Sequence, residues 1–167
     1  MGVSTSPTSD GSNAGNGAAP DERGKLSIGL ISGTSADGID AALTRITGAG
    51  AGARVELVAF ASTPYPPEVR AELLALYAPD APNAIARLSS LNFVLGELFG
   101  DAAAALCEQA GVPLAEIHVV GSHGQTVWHQ PEPDPEQPLS TRSTLQIASP
   151  AVIAARLGAP VMADFRV

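Results

Sequence analysis

The stretch that decides the fold is LSIGLISGTSADGID, at residues 26–40. Its first six residues form a largely apolar run that ends at Ser32-Gly33, which is typical of a buried strand. A tight polar turn flanked by two glycines follows, and residues 39–46 predict a second strand. Residues 55–60 predict a third strand beyond a glycine-rich loop. Because short connections join neighbours, we expect these strands to form an antiparallel meander.

After the third predicted strand, apolar residues recur with the spacing of a helix. Pro66-Pro67 predicts the start of a helix with an apolar stripe of Val69, Leu73, Leu74 and Leu76. Apolar residues then recur at three- and four-residue steps from Ile85 to Leu106, which predicts a long amphipathic helix closed by Gly111. The later predicted elements are a buried strand at 117–120, strands at 127–128 and 144–147, a helix from Pro150 to Leu157 with Ser149 as N-cap, and a strand at 160–165. The strand–helix–strand steps imply parallel crossovers, so the expected class is α/β, with a mixed sheet and flanking helices.

Composition restricts the class of protein. A chain of 167 residues with 45% hydrophobic residues predicts about one globular domain. We expect a flexible tail at residues 1–24 and a domain at 25–167, because the first segment has almost no large apolar side chain. The formal net charge of −8 and the sequence pI of about 4.7 argue against nucleic-acid and membrane partners.

Cysteine and histidine usage narrows the chemistry. The single cysteine, Cys107, excludes an internal disulfide and a four-thiolate zinc site, and is expected to be a buried apolar residue. His118, His123 and His129 lack the spacing of a metal site. No apolar run approaches the ~20 residues that span a bilayer, and the N-terminus lacks a secretory pattern. These features predict a cytoplasmic location.

The turn at residues 33–38 is the strongest local signal for function. Its glycines let the backbone approach a ligand closely, and successive N–H groups in such a turn can converge on an anion. The hydroxyls of Thr34 and Ser35 add donors for phosphate oxygens. Asp37 and Asp40 can hold a hydrated Mg²⁺ that bridges phosphates. The alternative interpretation is an ordinary Gly/Asp-rich hairpin turn.

A second polar block, GSHGQT at residues 121–126, follows the predicted strand at 117–120. Ligands bind beyond the carboxyl ends of strands in open α/β sheets. Ser122, His123, Gln125 and Thr126 carry donors and acceptors suited to sugar hydroxyls. Ser122 and His123 are not a catalytic dyad, because neighbours in extended chain point to opposite faces. The alternative is a loop whose polar side chains make hydrogen bonds to nearby backbone groups. Asp164 and Arg166, at the end of the last predicted strand, could likewise be a binding pair or a purely structural pair.

Four blocks taken together carry a resemblance to a known family. They are IGLISGTSADGID at 28–40, GSHGQTVWH at 121–129, TLQI at 144–147 and PVMADFR at 160–166. In content, order and spacing they resemble the N-terminal part of the anhydro-N-acetylmuramic acid kinases, over about residues 26–167. The resemblance implies an actin-like (sugar kinase) fold, in which two lobes of ribonuclease H-like topology hold ATP in the cleft between them.

The resemblance also implies an activity and a set of binding residues. The family uses ATP and water to open the 1,6-anhydro ring of anhydro-N-acetylmuramic acid and to phosphorylate O6, in recycling of the bacterial cell wall. The implied ATP-binding residues are Gly33, Thr34, Ser35, Ala36, Asp37, Gly38, Ile39 and Asp40, with Asp37 as the implied contact to Mg²⁺. The implied substrate-binding residues are Ser122, His123, Gln125, Thr126, Asp164 and Arg166.

The sequence departs from the family pattern at several points. Ala36 stands where leucine is usual, and Ala148-Ser149 stands where a Gly-Asp or Gly-Asn pair is usual. The catalytic aspartate of the family is expected beyond Val167, so no residue of this chain is assigned as catalytic. We therefore expect a kinase lobe that ends before the second lobe and is inactive alone, with a homodimer left open for the full-length protein. The alternative is a non-catalytic module that binds a sugar or a protein.

Overall fold

A computed structural model describes residues 23–78 and 80–166. Most of the segment predicted as a flexible tail therefore lies outside the described residues. The strands are β1 (Lys25–Ser32), β2 (Gly38–Thr47), β3 (Arg54–Pro64), β4 (Ile117–Gln130), β5 (Ser143–Ile147) and β6 (Val161–Met162). The helices are α1 (Pro67–Leu76), α2 (Ala84–Ala110) and α3 (Pro150–Leu157), and single 3-10 turns span Gly50–Gly52 and Leu114–Glu116.

The strands form one mixed six-stranded sheet in the order β3-β2-β1-β4-β5, with β6 paired to β4. The β1–β2 and β2–β3 pairs are antiparallel, which confirms the predicted meander. After α1 and α2 the chain returns as β4, which lies parallel to β1 and confirms the predicted crossover. The α/β class is therefore correct, and the arrangement is compatible with one lobe of an actin-like ATPase.

The polar block at residues 121–126 is not a loop, as the sequence suggested, but the middle of β4. Leu30 pairs with Ser122, whereas Ser32 pairs with Gln125, so β4 has one more residue than β1 between these pairs. This is a β-bulge, and Gly124 occupies it with a φ of 73°. The strand continues because the bulge absorbs the extra residue without breaking the pairing to β1.

The last strand is shorter than predicted. The sequence suggested a strand over residues 160–165, but β6 contains only Val161 and Met162. Asp164 has a φ of 59°, a left-handed conformation that a continuing strand does not allow. The backbone therefore turns away from the sheet before Phe165 and Arg166.

One face of the sheet packs against the helices. In β1, Leu26, Ile28 and Leu30 are buried, whereas Gly29 and Ile31 on the other face are exposed. The longest helix, α2, supplies buried Leu95, Phe99 and Leu106 to the core. The opposite face, here called the open face, carries exposed apolar side chains of the described residues: Ile31, Val55, Leu57, Phe60, Met162 and Phe165.

Two predicted members of the helical stripes lie outside the core. Leu73 of α1 is fully buried, but its neighbour Leu74 is 42% exposed. Ile85 at the start of α2 is 87% exposed. The helix boundaries themselves follow the prediction, and Gly111 and Gly158 end α2 and α3 in left-handed conformations.

The helix α2 is also long and apolar enough to cross a membrane by length and composition. Half of that apolar window is buried inside the protein, and a core helix meets the same criteria. The prediction that no apolar run approaches membrane-spanning length therefore does not hold for α2.

Candidate functional site

The β1–β2 turn (residues 33–37) is held in a defined shape by backbone hydrogen bonds. The N–H of Ala36 donates to the carbonyl oxygen of Gly33 over 3.1 Å, and the N–H of Tyr65 donates to the carbonyl oxygen of Asp37 over 3.1 Å. Ala36 has a φ of 53° and is fully buried, so its methyl group faces the core. The turn is therefore anchored both to itself and to the chain beyond β3.

A cavity of about 390 Å³ opens beside this turn, here called the turn cavity. Five of the eight predicted ATP-binding residues line it, namely Gly33, Ser35, Asp37, Gly38 and Asp40. Ser62, Thr63 and Pro64 at the end of β3 form its other wall, and no motif in the sequence pointed to them. Thr34 is exposed outside this lining, whereas Ala36 and Ile39 are buried behind it.

Close packing makes the glycine at the start of β2 necessary for this cavity. A Cβ on Gly38 would lie 2.3 Å from the carbonyl oxygen of Thr63 and 2.8 Å from the Cα of Pro64. Since both of these atoms belong to the backbone, neither can move without displacing β3. The absence of a side chain at Gly38 therefore allows the two strands to close around the turn.

The charges around the turn cavity are of both signs. Asp37 and Asp40 are exposed carboxylates, and the Oδ1 of Asp37 lies 3.3 Å from the Nη2 of Arg70 on α1. The Oδ1 of Asp40 accepts a 2.5 Å hydrogen bond from the hydroxyl of Ser62. Two separate carboxylates fit a hydrated Mg²⁺ bridging phosphates better than a closed all-protein cage, and no group of three or more metal-ligating side chains occurs in the described part of the chain. Arg70 was not predicted from the sequence.

A buried polar network lies behind the turn. The Nε2 of Gln125 donates to the carbonyl oxygen of Gly33 over 3.0 Å and to the hydroxyl of Tyr77 over 3.2 Å. The Oε1 of Gln125 accepts from the hydroxyl of Tyr65 over 3.2 Å. The Oγ of Ser32 lies 2.7 Å from that same oxygen and 2.6 Å from the carbonyl oxygen of Gly38, so its single proton is shared between the two acceptors.

Burial affects the two tyrosines of this network. Desolvation raises the pKa of Tyr65 to about 12, and the hydrogen bond with Ser32 offsets this only in part. Desolvation likewise raises the pKa of Tyr77, against the effect of its hydrogen bond with Gln125. Both hydroxyls are therefore protonated at neutral pH and can donate.

A second cavity, of about 370 Å³, lies on the open face and is here called the face cavity. Among its lining residues are Gly29, Asp40, Gly121, His123 and Phe165. Asp40 lines both cavities, so they are neighbours that share one carboxylate wall. Of the predicted substrate-binding residues, His123 is the one that lines the face cavity.

His123 and Arg166 are brought together at this face. The Nε of Arg166 donates to the Nε2 of His123 over 2.8 Å. A ring nitrogen that accepts a hydrogen bond carries no hydrogen of its own, so in this arrangement the hydrogen of the neutral ring is on Nδ1. Nδ1 lies 3.3 Å from the carbonyl oxygen of Gly124. The pair fixes the orientation of the imidazole ring above the face cavity.

The other predicted substrate-binding side chains do not join this pair. Ser122 faces the helix side of the sheet, where its hydroxyl is buried without a hydrogen-bond partner among the described residues. Gln125 is fully buried behind the turn. The hydroxyl of Thr126 accepts a hydrogen bond from Gln146, and Asp164 is exposed at the bend after β6. The four predicted residues of β4 therefore lie on both faces of that strand, because the bulge breaks the regular alternation.

The remaining singled-out residues behave as structural residues. Cys107 is 1% exposed and desolvation raises the pKa of its thiol, as expected for a core residue. His118 is exposed at the start of β4, where its Nδ1 lies 3.0 Å from the carbonyl oxygen of Glu116. Trp128, in the block GSHGQTVWH, is 52% exposed on β4.

Comparison with known proteins assigns the family. The family model described as "Anhydro-N-acetylmuramic acid kinase" matches residues 25–167. A protein of that name from Caldanaerobacter subterraneus subsp. tengcongensis is 46% identical over 143 residues, which is 86% of this chain and 36% of the relative. Proteins of the same name from Bacillus thuringiensis subsp. konkukian and from Bacillus cereus are 40% and 41% identical, and each alignment covers 83% of this chain and 35% of the relative.

The chain thus spans about a third of the length of the curated relatives that it matches. The matched region includes the turn and both cavities, and it covers every predicted binding residue. The chain therefore belongs to the anhydro-N-acetylmuramic acid kinase family.

Proposed function

We propose that this chain is the nucleotide-binding lobe of an ATP-dependent kinase that acts on anhydro-N-acetylmuramic acid. In the proposed reaction, water adds its oxygen to the anomeric carbon, the bond from that carbon to O6 breaks, and O6 takes the γ-phosphoryl group of ATP. The products are N-acetylmuramic acid 6-phosphate and ADP. Membership of the family supports this reaction. The structural observation that supports the assignment of binding residues is the turn cavity, which lies beside a glycine-flanked turn.

The turn supplies the groups that would hold the phosphates. No hydrogen-bond partner is found within the described residues for the N–H groups of Thr34 and Ser35, so both are free to donate to phosphate oxygens. The hydroxyl of Ser35 lines the cavity as a further donor. Arg70, at the side of the cavity, adds a positive charge that would help to neutralise phosphate.

The carboxylates of Asp37 and Asp40 would hold a hydrated Mg²⁺ against those phosphates. The ion would neutralise charge on the phosphates and would orient the γ-phosphoryl group when bound. Asp40 lines both the turn cavity and the face cavity, so it would lie where the γ-phosphoryl group meets the sugar.

The sugar is proposed to bind at the face cavity. With Nδ1 near the carbonyl oxygen of Gly124 and Nε2 held by Arg166, the ring of His123 is fixed, and the sugar would pack against its face. Arg166, whose Nε donates to that ring, would attract the carboxylate of the muramic acid. We assign no residue of this chain as the base that activates the water.

A chimera tests the proposal. Residues 25–167 would replace the matching segment of the Caldanaerobacter relative, and ATP-dependent phosphorylation of anhydro-N-acetylmuramic acid would be followed by ADP release. We expect the chimera to phosphorylate the sugar. Asp40→Asn should abolish this activity. Asp134→Asn, in the segment between β4 and β5, is the control and should retain it. A chimera that phosphorylates other amino sugars but never this one would contradict the proposal.

The 167-residue chain alone is expected not to turn over ATP. ADP release that depends on the sugar, measured with this chain by itself, would show that the reaction needs no residue outside it. The same measurement without sugar is the control for contaminating ATPase.

A further inference from the structure

Gln125 is unusual because a polar side chain on the central part of the sheet is completely buried. It reaches this position through the bulge at Gly124. In a regular strand, Gln125 and His123 would face the same side, since side chains alternate with a period of two. The extra residue instead sends Gln125 to the helix side together with Ser122.

Every polar atom of the Gln125 amide has a partner in the protein. Its Nε2 lies within hydrogen-bond distance of the carbonyl oxygens of Gly33 and Thr126 and of the hydroxyl of Tyr77. Its Oε1 accepts from Tyr65 and Ser32. A side chain with no exposed surface and a complete set of internal partners has no group left for a substrate.

Two of these partners, Ser32 and Gly33, are at the start of the β1–β2 turn, and a third, Tyr65, contacts its other end. Ser32 is the last residue of β1, and its hydroxyl also lies 2.6 Å from the carbonyl oxygen of Gly38, the first residue of β2. Tyr65 holds the carbonyl oxygen of Asp37 through its own N–H. The Gln125 amide thus joins both ends of the turn to β4.

We propose that Gln125 is a positioning residue that fixes the turn in the shape that receives phosphate oxygens. This inference rests on the proposed function for the identity of the ligand. The carbonyl oxygen of Gly33 accepts from both Gln125 and Ala36, so it is held on the inner side of the turn. The N–H groups of Thr34 and Ser35, which come next along the chain, are left for the ligand.

The first test measures the turn without nucleotide. Amide hydrogen exchange of Ala36 and Tyr65, whose N–H groups donate to the carbonyl oxygens of Gly33 and Asp37, would be followed in the intact 167-residue chain and in Gln125→Met, which keeps the size of the side chain but not its hydrogen bonds. We expect exchange at these amides to rise about tenfold, with the protection of β1 and α2 unchanged. Gln130→Met, further along the same strand, is the matched control and should leave the turn unaffected.

The second test uses a pH profile that a merely structural role would not produce. In Gln125→Glu, the ionised carboxylate faces the carbonyl oxygen of Gly33 and cannot donate to it, whereas the protonated carboxyl can. We expect the Ala36 and Tyr65 amides of this variant to lose protection as the pH rises past the pKa of the introduced carboxyl group, which burial raises, and to regain it as the pH falls, after correction for intrinsic exchange. Equal protection at all pH values would overturn the proposal, as would unchanged exchange in Gln125→Met.

The third test adds MgATP and separates the two proposals. If wild-type chain binds MgATP in calorimetry, we expect Gln125→Met to weaken binding about tenfold and Tyr65→Phe, which removes one donor to Gln125, to weaken it less. Equal affinities would overturn the positioning role. Changed exchange with no MgATP binding by the wild type would overturn the phosphate role of the turn, while the control of its shape by Gln125 would stand. If Gln125→Met does not fold, Tyr65→Phe and Gln125→Glu decide the outcome.

Discussion

The side-chain oxygen of Asn92 accepts a 3.0 Å hydrogen bond from the backbone N–H of Ala148. The carbonyl oxygen of Asn92 also accepts from the N–H of Ser149 over 2.9 Å. One residue in the middle of α2 therefore holds the chain at the point where β5 ends and α3 begins. Ser149 itself caps α3 through its position and not its side chain, which makes no cap hydrogen bond.

Replacement of Ala148 by glycine is expected to stabilise the protein. Ala148 is held at a φ of 136°, where an L side chain is strained. Glycine relieves that strain but costs unfolded-state entropy, so the expected gain in the free energy of unfolding is about 1 kcal/mol. Urea denaturation of Ala148→Gly measures it. The control is Ala41→Gly, in buried β2, which should destabilise; a loss of stability in Ala148→Gly as well would contradict the prediction.

Replacement of Gly38 by alanine is expected to damage the turn cavity. The new Cβ would meet the backbone of Thr63 and Pro64, so β2 and β3 must separate at a cost of roughly 1–3 kcal/mol. Gly29→Ala is the matched control, because nothing lies within 4 Å of a Cβ built there. Urea denaturation and MgATP binding would be compared. Equal stability and equal affinity in the two variants would show that the close approach at Gly38 has no consequence.

Cys107 is expected to be unreactive in the folded protein. Its side chain is buried on α2 and desolvation raises the pKa of the thiol, so little thiolate is present at neutral pH. A thiol reagent such as dithiobis-nitrobenzoate should react only as fast as the protein opens, and at the free-thiol rate in urea. Rapid labelling under native conditions would contradict the packing of α2.

Alkaline pH is expected to weaken the network behind the turn. The pKa of Tyr65 is about 12 in the folded protein and about 10 when unfolded, so folding favours the protonated phenol. This stabilisation is complete below pH 10 and is lost as the pH rises through 12, which amounts to about 3 kcal/mol. The urea midpoint should therefore fall more steeply from pH 10 to pH 12 in the wild type than in Tyr65→Phe. Parallel slopes would contradict the burial of this hydroxyl.

The sequence predicted the elements better than their contacts. The periodicity of α2 and the apolar run of β1 are local signals, and both elements formed near the predicted bounds. The length of β4 was missed because glycine and polar residues resemble a loop, and only the pairing with β1 shows that Gly124 occupies a bulge. The end of β6 was missed for the opposite reason, since the apolar run continues past the bend at Asp164.

The sequence predicted only part of the candidate site, because it shows local patterns but not the contacts between distant residues. The turn at residues 33–37 is contiguous in sequence, so its glycines and carboxylates could be recognised together. The wall formed by Ser62, Thr63 and Pro64 depends on the register of β2 and β3, and the approach of Arg70 depends on how α1 packs. Side-chain direction on β4 could not be predicted without the bulge. Gln125 was therefore grouped with His123, although the structure separates them.

The bulge has a consequence for how this segment can change during evolution. A Cβ on Gly124 would lie 2.7 Å from the carbonyl oxygen of Ile147, so no other residue fits there without moving β5. His123 and Gln125 flank that glycine and serve opposite sides of the sheet. A single substitution at Gly124 would disturb both the face cavity and the buried polar network around Gln125. Natural variation at this position therefore has little freedom to change one of them without the other.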